Sequence, residues 1–142
     1  MCVVNNKIIN KLINSFIKDG KKLLSEKKFK FILYELKRLY GKKYFLVLIS
    51  AIENLIPVLK LKNKKKAGIQ YKVPCSLKDD EGLSYALKWF RVAVRERKEL
   101  KLEVRIVNEL IDAYNKKGNA MKKKSYVYEL ATSNRNFIKF LR

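Results

Sequence analysis

Residues 53–74 read ENLIPVLKLKNKKKAGIQYKVP, and they decide how the rest of the chain is interpreted. A helical pattern stops at Pro57, because the residue before a proline is pushed out of the helical region. Two short alternating runs follow, 58–62 and 69–73, and the segment 63–68 between them holds three consecutive lysines and a glycine. Alternation on both sides of such a break is typical of a β-hairpin. We therefore predict a basic hairpin over about residues 58–73, closed by Val73-Pro74.

The rest of the sequence has helical periodicity. Apolar residues recur at three- and four-residue spacing in six segments, and Gly20, Gly41 and Gly118 stand where a helix end favours glycine. Asn119 is a candidate cap for the last helix, whose start we expect to be frayed by Lys122 to Lys124. The predicted helices run from about Ile8 to Ile17, Leu24 to Tyr40, Lys43 to Ile56, Asp79 to Glu96, Leu100 to Lys116 and Met121 to Phe140. The candidate core of the last one is Val127, Leu130, Ala131 and either Phe137 or Ile138. We predict a mainly α fold: a single domain over residues 1–142, of about six helices with one protruding basic β-hairpin.

Positive charge dominates the composition. The chain holds 34 Lys and Arg against 13 Asp and Glu, a net charge of +21. Self-repulsion of this size opposes compaction, so we expect a polyanionic partner, nucleic acid first and an anionic membrane second. The cations cluster at predicted element ends, with aromatic and amide residues between them. Lysine outnumbers arginine, and it acts as a point charge, so we expect contact with a phosphate backbone rather than readout of base sequence.

Few residues are suited to catalysis or metal binding. There is no histidine, and two cysteines cannot make a tetrahedral zinc site without further ligands. The cluster Asp79-Asp80-Glu81 is either a carboxylate site or the acidic first turn of a helix, and the helix macrodipole favours the second. No phosphate-binding glycine loop or nucleophile elbow is present. We predict no enzyme, no cofactor and no metal.

Two further properties concern compartment and contacts. No apolar run approaches the length of a membrane span, and the start is not a secretory signal. Two free thiols, Cys2 and Cys75, fit a reducing compartment. In the hairpin, Tyr71 either stacks on an unpaired base or packs across the strands.

Several motifs, in order and at matching spacing, resemble the small-ribosomal-subunit protein seven family. The resemblance covers nearly the whole chain from Ile8 to Arg142. The motifs are FIKDGKK (16–22), AIENLIP (51–57) with Gly68, Tyr71 and Val73-Pro74, ALKW (86–89), NELIDAY (108–114) with Lys117-Gly118, AMKKK (120–124) and ATSNRNF (131–137).

The resemblance implies a structural constituent of the small ribosomal subunit. Such a protein binds the three-prime major domain of small-subunit rRNA and nucleates head assembly. Its hairpin lies near the exit site for tRNA, beside the mRNA path and neighbouring head and platform proteins, with no membrane contact and no homo-oligomer. The residues we predict to contact RNA are Lys21, Lys22, Lys60, Lys62, Lys64, Lys65, Lys66, Lys72, Lys88, Lys116, Lys117, Lys122, Lys123, Lys124 and Arg135.

The chain departs from the family in three places. The family has a longer basic N-terminal arm, so we expect some RNA contacts to be missing or to be supplied by other proteins. The family's hairpin tip carries arginines and a glycine pair, whereas this chain has three lysines and Ala67-Gly68. The family's C-terminal ending also differs from residues 138–142 of this chain. This divergence, with heavy use of Lys, Asn and Ile, indicates a mitochondrial ribosome, with a plastid-type organelle or a bacterial cytoplasm as alternatives. The alternative functions are a basic helical DNA-binding protein of the nucleoid type and a peripheral membrane protein.

Overall fold

The computed structural model describes residues 2–66 and 68–141. Over those residues the chain forms six α-helices and one antiparallel two-stranded sheet, which confirms the predicted mainly α fold with a β-hairpin. The helices are α1 (Cys2–Ser15), α2 (Lys22–Tyr40), α3 (Tyr44–Leu55), α4 (Asp79–Glu96), α5 (Leu102–Tyr114) and α6 (Gly118–Ser133). The strands are β1 (Leu59–Lys66) and β2 (Ile69–Ser76), and two 3₁₀ segments are Gly41–Lys43 and Arg135–Leu141.

Helix α3 lies at the centre of the hydrophobic core. It contacts α2, α4, α5 and α6, and it is apolar around most of its circumference because it is enclosed by other helices. Helix α1 packs against α4, and directly after α1 the rings of Phe16 and Phe90 form a T-shaped pair with centroids 6.1 Å apart. The fully buried side chains include Leu12, Leu36, Leu48, Ile52, Leu55, Phe90 and Leu110. This core holds α1, α4 and α6 in fixed positions, which matters for the surface described below.

Glycine marks the predicted helix end at one place and not at two others. Gly41 ends α2 with φ 55°, as expected. Helix α1 ends at Ser15, five residues before Gly20, and the Ser15 hydroxyl donates to the Leu12 carbonyl at 2.7 Å. The prediction that Gly20 directly follows the first helix is therefore wrong, because a side chain that bonds a nearby carbonyl competes with continuation of the helix.

Helix α5 ends in a Schellman motif in which Lys116, and not Gly118, takes the left-handed position. Lys116 has φ 56°, its N–H donates to the Ala113 carbonyl at 3.1 Å, and the Lys117 N–H donates to the Asp112 carbonyl at 2.7 Å. Gly118 instead begins α6 with φ 90°. A Cβ atom there would lie 3.0 Å from the Cβ of Asp112, so the glycine is required by close packing.

The last predicted helix is two elements. Helix α6 ends at Ser133, where Asn134 donates its side-chain amide to the Leu130 carbonyl at 2.8 Å, and a 3₁₀ segment follows. Local bonds of this kind from Asn, Ser and Thr side chains disfavour a continued helix, and the sequence expectation of one helix to Phe140 missed them. The expected fraying is also wrong, since residues 122–124 lie in regular helix. Of the candidate core, Ala131 is buried, Val127, Leu130 and Phe137 are half-buried, and Ile138 is exposed.

The hairpin is longer than predicted. Residues 63–66, expected to be in the turn, pair in β1, so that Asn63 lies opposite Lys72 and Lys66 opposite Ile69. Strand β1 ends at Lys66, β2 begins at Ile69, and Gly68 before it has φ 80°. Pro74 does not close β2 but pairs inside it, opposite Leu61. A two-stranded ribbon tolerates this because each strand has one edge without a ladder partner.

Candidate nucleic-acid interface

The hairpin carries lysines on both faces, because consecutive residues of a strand point to opposite sides. Lys60, Lys62, Lys64 and Lys66 alternate along β1 and so share one face. Lys65 lies on the other face. Lys72 shares that face, because it is two residues from Gln70, the cross-strand partner of Lys65. No acidic residue occurs between positions 58 and 78. The run of three lysines is therefore not a turn but the distal part of a cationic ribbon.

The base of the ribbon is fixed to the helical body. The ammonium of Lys60 forms an ion pair with Glu81 in the first turn of α4. The hydrogen bond from Lys60 holds the pKa of the Glu81 carboxyl below its ordinary value of 4.5, and the bond to Glu81 raises the pKa of Lys60. The Val58 N–H donates to the Tyr128 hydroxyl of α6 at 3.0 Å. The acidic start of α4 thus ties a strand to a helix.

Tyr71 packs within the protein. Its ring lies 4.9 Å from the ring of Phe137 in the C-terminal 3₁₀ segment, at an interplanar angle of 54°. Of the two alternatives for Tyr71, internal packing is the one observed, but its aromatic partner is Phe137, whereas the residue across the strands is Lys64. The distal residues Lys65, Lys66, Gly68, Ile69 and Gln70 remain exposed.

A groove between α1 and α4 brings cations together from both helices. Lys88 and Arg91 of α4 line it on one side and Lys11 of α1 on the other, with Asn14, Ser15, Ser84 and Leu87 between them. Lys11 also lines the adjoining depression that contains Lys60. This groove therefore leads from the middle of α4 to the base of the hairpin.

A second groove lies on the opposite flank of α4, against α6. It is lined by Trp89 and Glu96 of α4 and by Asn119, Lys122, Lys123, Tyr126 and Val127 of α6. Lys122 and Tyr126 also border a third depression, shared with Lys116 and Lys117 at the α5–α6 junction. We name the surface formed by these three helices, from Lys11 through Lys88 and Trp89 to Lys122, the α1–α4–α6 face.

The predicted RNA-binding residues fall into several groups. The α1–α4–α6 face and the hairpin base bring together Lys60, Lys88, Lys116, Lys117, Lys122 and Lys123, with Lys11 and Arg91 as members that were not predicted. Lys21 instead borders an apolar groove between α1, α2 and α5, and Lys22 lies 3.8 Å from Glu26. Arg135 begins the C-terminal 3₁₀ segment and is exposed.

Lys124 is turned inward. Its ammonium donates to the backbone carbonyls of Asn54 at 2.6 Å and Ile56 at 2.9 Å, at the end of α3. A cation there satisfies carbonyls that lack helical partners and opposes the negative end of the helix dipole. Burial lowers the pKa of Lys124, and the charge of Lys116 lowers it further. Lys124 joins α6 to α3, a role that its place in a run of lysines concealed.

Helix α6 is anchored at its other end by a buried carboxylate. Glu109 of α5 is 1% exposed, and its Oε1 accepts the Ala120 N–H at 3.1 Å. This bond caps α6, because the Lys117 side chain at the N-cap position makes no capping bond. The cap was expected of Asn119. Its Oε2 accepts from Arg97 Nε at 2.7 Å. Arg97 also pairs with Asp112 and with Glu99, the latter at 3.1 Å. One sequence signal existed for this network: Glu109 lies beside Ile106 and Leu110 on the apolar stripe of α5.

The described residues offer no metal site and no membrane span. Among them, no group of three or more Cys, Asp and Glu side chains is placed to hold a metal ion. Within the same part of the chain, no helix combines the length and the apolar character needed to cross a bilayer.

Comparison with known proteins gives a consistent result. The family model described as ribosomal protein S7p/S5e matches residues 2–135. The chain is similar to proteins named small ribosomal subunit protein uS7. That of Thermodesulfovibrio yellowstonii is 36% identical over 132 residues, covering 93% of this chain and 85% of the relative. Those of Pelagibacter ubique and Metamycoplasma arthritidis are 37% and 38% identical over 142 residues, each covering 97% of this chain and 88% of the relative.

Proposed function

We propose, from the premise that this chain belongs to the ribosomal protein S7p/S5e family, that its α1–α4–α6 face binds the RNA of the small ribosomal subunit. The chain is a structural constituent of that subunit, in a family whose role is structural rather than enzymatic. The single observation that carries the proposal is the convergence of cations from three helices on the two flanks of α4.

The composition of this face favours contact with the phosphate backbone. Most of its cations are lysines, which neutralise phosphates without the forked geometry by which arginine reads a base. Each neutralised phosphate steepens the dependence of log affinity on log salt by roughly 0.9 on duplex and about 0.7 on single strands. Binding through this face is therefore strong at low salt and falls steeply as salt rises.

Not every predicted lysine has the same role. Three lysines bond a group within the protein: Lys60 bonds Glu81, Lys123 bonds Glu96, and Lys124 bonds the carbonyls of Asn54 and Ile56. We assign the fixing of elements to these three, with RNA contact as a second role for Lys60 and Lys123. The residues proposed to neutralise phosphates are Lys21, Lys22, Lys62, Lys64, Lys65, Lys66, Lys72, Lys88, Lys116, Lys117, Lys122 and Arg135, with Lys11 and Arg91 added by the groove between α1 and α4.

The hairpin is proposed to act separately from the rRNA-binding face. Its base is fixed to α4 and α6, whereas Lys65 and Lys66 near its tip are exposed on opposite faces of a narrow ribbon. Such a ribbon suits a position beside mobile RNA, so we place its tip near the exit-site tRNA and the mRNA path. We propose that the helical body binds the three-prime major domain of the rRNA, nucleates head assembly and contacts neighbouring head and platform proteins.

Binding to a head-domain rRNA fragment over a series of salt concentrations tests the proposal. Changing Lys88 and Arg91 together to Ala is expected to weaken binding and to reduce the magnitude of the salt slope by about 1.4 to 1.8, because two phosphate contacts are removed. Changing Lys64, Lys65 and Lys66 to Ala is the comparison variant. It removes more charge, but because the hairpin tip is assigned to tRNA and the mRNA path, affinity and salt slope for the head-domain fragment should stay unchanged and incorporation into small subunits should be retained. Equal affinity for random duplex DNA would contradict a ribosomal role, and loss of incorporation in the hairpin variant would contradict the division of labour.

We further propose that the ribosome concerned is mitochondrial, in the matrix. The support is the lysine-, asparagine- and isoleucine-rich sequence and its divergence at the hairpin tip and after Phe137. The compared relatives are bacterial, which makes a bacterial cytoplasm the alternative, beside a plastid-type organelle. Sedimentation of the chain with small subunits from purified mitochondria is the expected result, and its recovery only with ribosomes of another compartment would exclude this location.

A further inference from the structure

We propose that the groove between α4 and α6 is a binding site for a single unpaired nucleobase of the bound RNA, stacked on Trp89 and Tyr126. The groove has a volume of about 430 Å³ and opens on the α1–α4–α6 face. This inference rests on the proposed rRNA-binding function and names what one part of that surface recognises.

The aromatic lining is the first support. Trp89 is half-buried, and its ring lies 6.2 Å from the ring of Tyr85 at an interplanar angle of 56°, so a neighbour on α4 limits its orientations. Tyr126, on the other wall, is 59% exposed. Aromatic side chains from both helices that line an open groove can stack on a base, and stacking of this kind accepts any base.

The polar lining is the second support. Lys123 donates to Glu96 at 2.6 Å across the groove, which neutralises the one carboxylate lining it. Lys122 is exposed beside Tyr126 and is placed to neutralise the phosphate next to a stacked base. The amide of Asn119 offers both a donor and an acceptor to a base edge. The groove thus provides stacking, charge and hydrogen bonding within one nucleotide's reach.

Trp89 is the only tryptophan of the chain, so its fluorescence reports on this groove alone. We expect the fluorescence to be quenched as a head-domain rRNA fragment with unpaired nucleotides is titrated in, in parallel with saturation measured by filter binding. Tyr126→Leu is expected to lower affinity roughly 5- to 150-fold, because a base–aromatic stack contributes about 1–3 kcal/mol, and to leave the salt slope unchanged. Tyr34→Leu is the matched control, since Tyr34 is 63% exposed on α2, away from the groove, and its loss should leave affinity unchanged.

The two proposals fail in different ways. Full binding of the fragment with unchanged Trp89 fluorescence would overturn the nucleobase site and leave the rRNA-binding face intact. An affinity of Tyr126→Leu equal to that of Tyr34→Leu would overturn it as well. If the fragment did not bind at all, the rRNA-binding proposal and the nucleobase site would both be refuted.

Discussion

Replacing Glu109 by Gln tests whether a buried carboxylate holds α6 in place. The substitution keeps the shape of the side chain and removes its charge. In the native chain one carboxylate oxygen accepts from Arg97 Nε and the other from the Ala120 N–H. An amide can satisfy only one of these donors, because its nitrogen would meet the other donor head-on.

The expected loss follows from the two bonds. A hydrogen bond to a charged partner contributes about 1.5–3 kcal/mol, and a helix N-cap about 0.5–2 kcal/mol. Arg97 keeps Glu99 and Asp112 as partners, so its charge is not left isolated. We therefore expect Glu109→Gln to lower the free energy of unfolding by about 2–4 kcal/mol, or to lower Tm by roughly 7–13 °C for a chain of this size.

Urea unfolding followed by circular dichroism measures the effect, with an unchanged m-value as the condition for comparison. Glu53→Gln is the control, since Glu53 is exposed on α3, and its effect should stay within about 0.5 kcal/mol. A double-mutant cycle with Arg97→Met should give a coupling energy above about 1 kcal/mol. A loss for Glu109→Gln no larger than that of Glu53→Gln would refute the anchoring role.

Three further predictions concern neighbouring features. Gly118→Ala should destabilise the fold by about 2–4 kcal/mol, because the backbone there is left-handed and the added Cβ would lie 3.0 and 3.2 Å from Asp112 and Glu109. Gly20→Ala is the control and should cost about 1 kcal/mol, because the space around Gly20 is open. Equal losses of unfolding free energy in urea would contradict this prediction. Lys124→Met should lower the free energy of unfolding by about 1–3 kcal/mol, because two carbonyls at the end of α3 lose their donor. Lys122→Met should weaken RNA binding and leave stability nearly unchanged. The reverse pattern in paired unfolding and binding measurements would contradict the inward role of Lys124. Glu81 has a lowered pKa in the fold, so its stabilising pairing with Lys60 is fully present above pH 4.5 and is lost as the pH falls through the lower, folded-state pKa. We expect amide exchange at the hairpin base to become faster in that acid range, and this pH dependence to be absent in Glu81→Gln. Unchanged exchange would refute the prediction.

Much of the fold could be predicted because local signals and tertiary packing agree. Pro57 disfavours helix in the residue before it, Gly41 takes a positive φ at little cost, and both boundaries occur where expected. In α4, apolar residues that recur at helical spacing in the sequence are buried in the structure, among them Leu83, Ala86, Leu87, Phe90 and Val94. The errors lie where a side chain acts on the backbone. Ser15 and Asn134 bond nearby carbonyls and shorten helices, and Lys116 takes a left-handed conformation usually given to glycine.

The candidate site was only partly predictable. The sequence shows how many charged side chains there are, but not which of them point to solvent and which point into the protein. Lys122 and Lys124 are two residues apart in one basic run, yet the first is exposed and the second bonds α3. Lys11 and Arg91 come together from segments 80 residues apart in sequence, and no local pattern indicates that they meet. Trp89 and Tyr126 likewise meet only through the packing of α4 on α6.

The bonds from α6 back to the end of α3 join segments that are synthesised at different times. Lys124 and Tyr128 complete the surroundings of Asn54, Ile56 and Val58, which leave the ribosomal tunnel about 70 residues earlier. Until α6 emerges, the foot of the hairpin lacks three hydrogen bonds, and α4 has no neighbour on its second flank. The α1–α4–α6 face, which we propose to bind RNA, is therefore complete only after α6 has been synthesised.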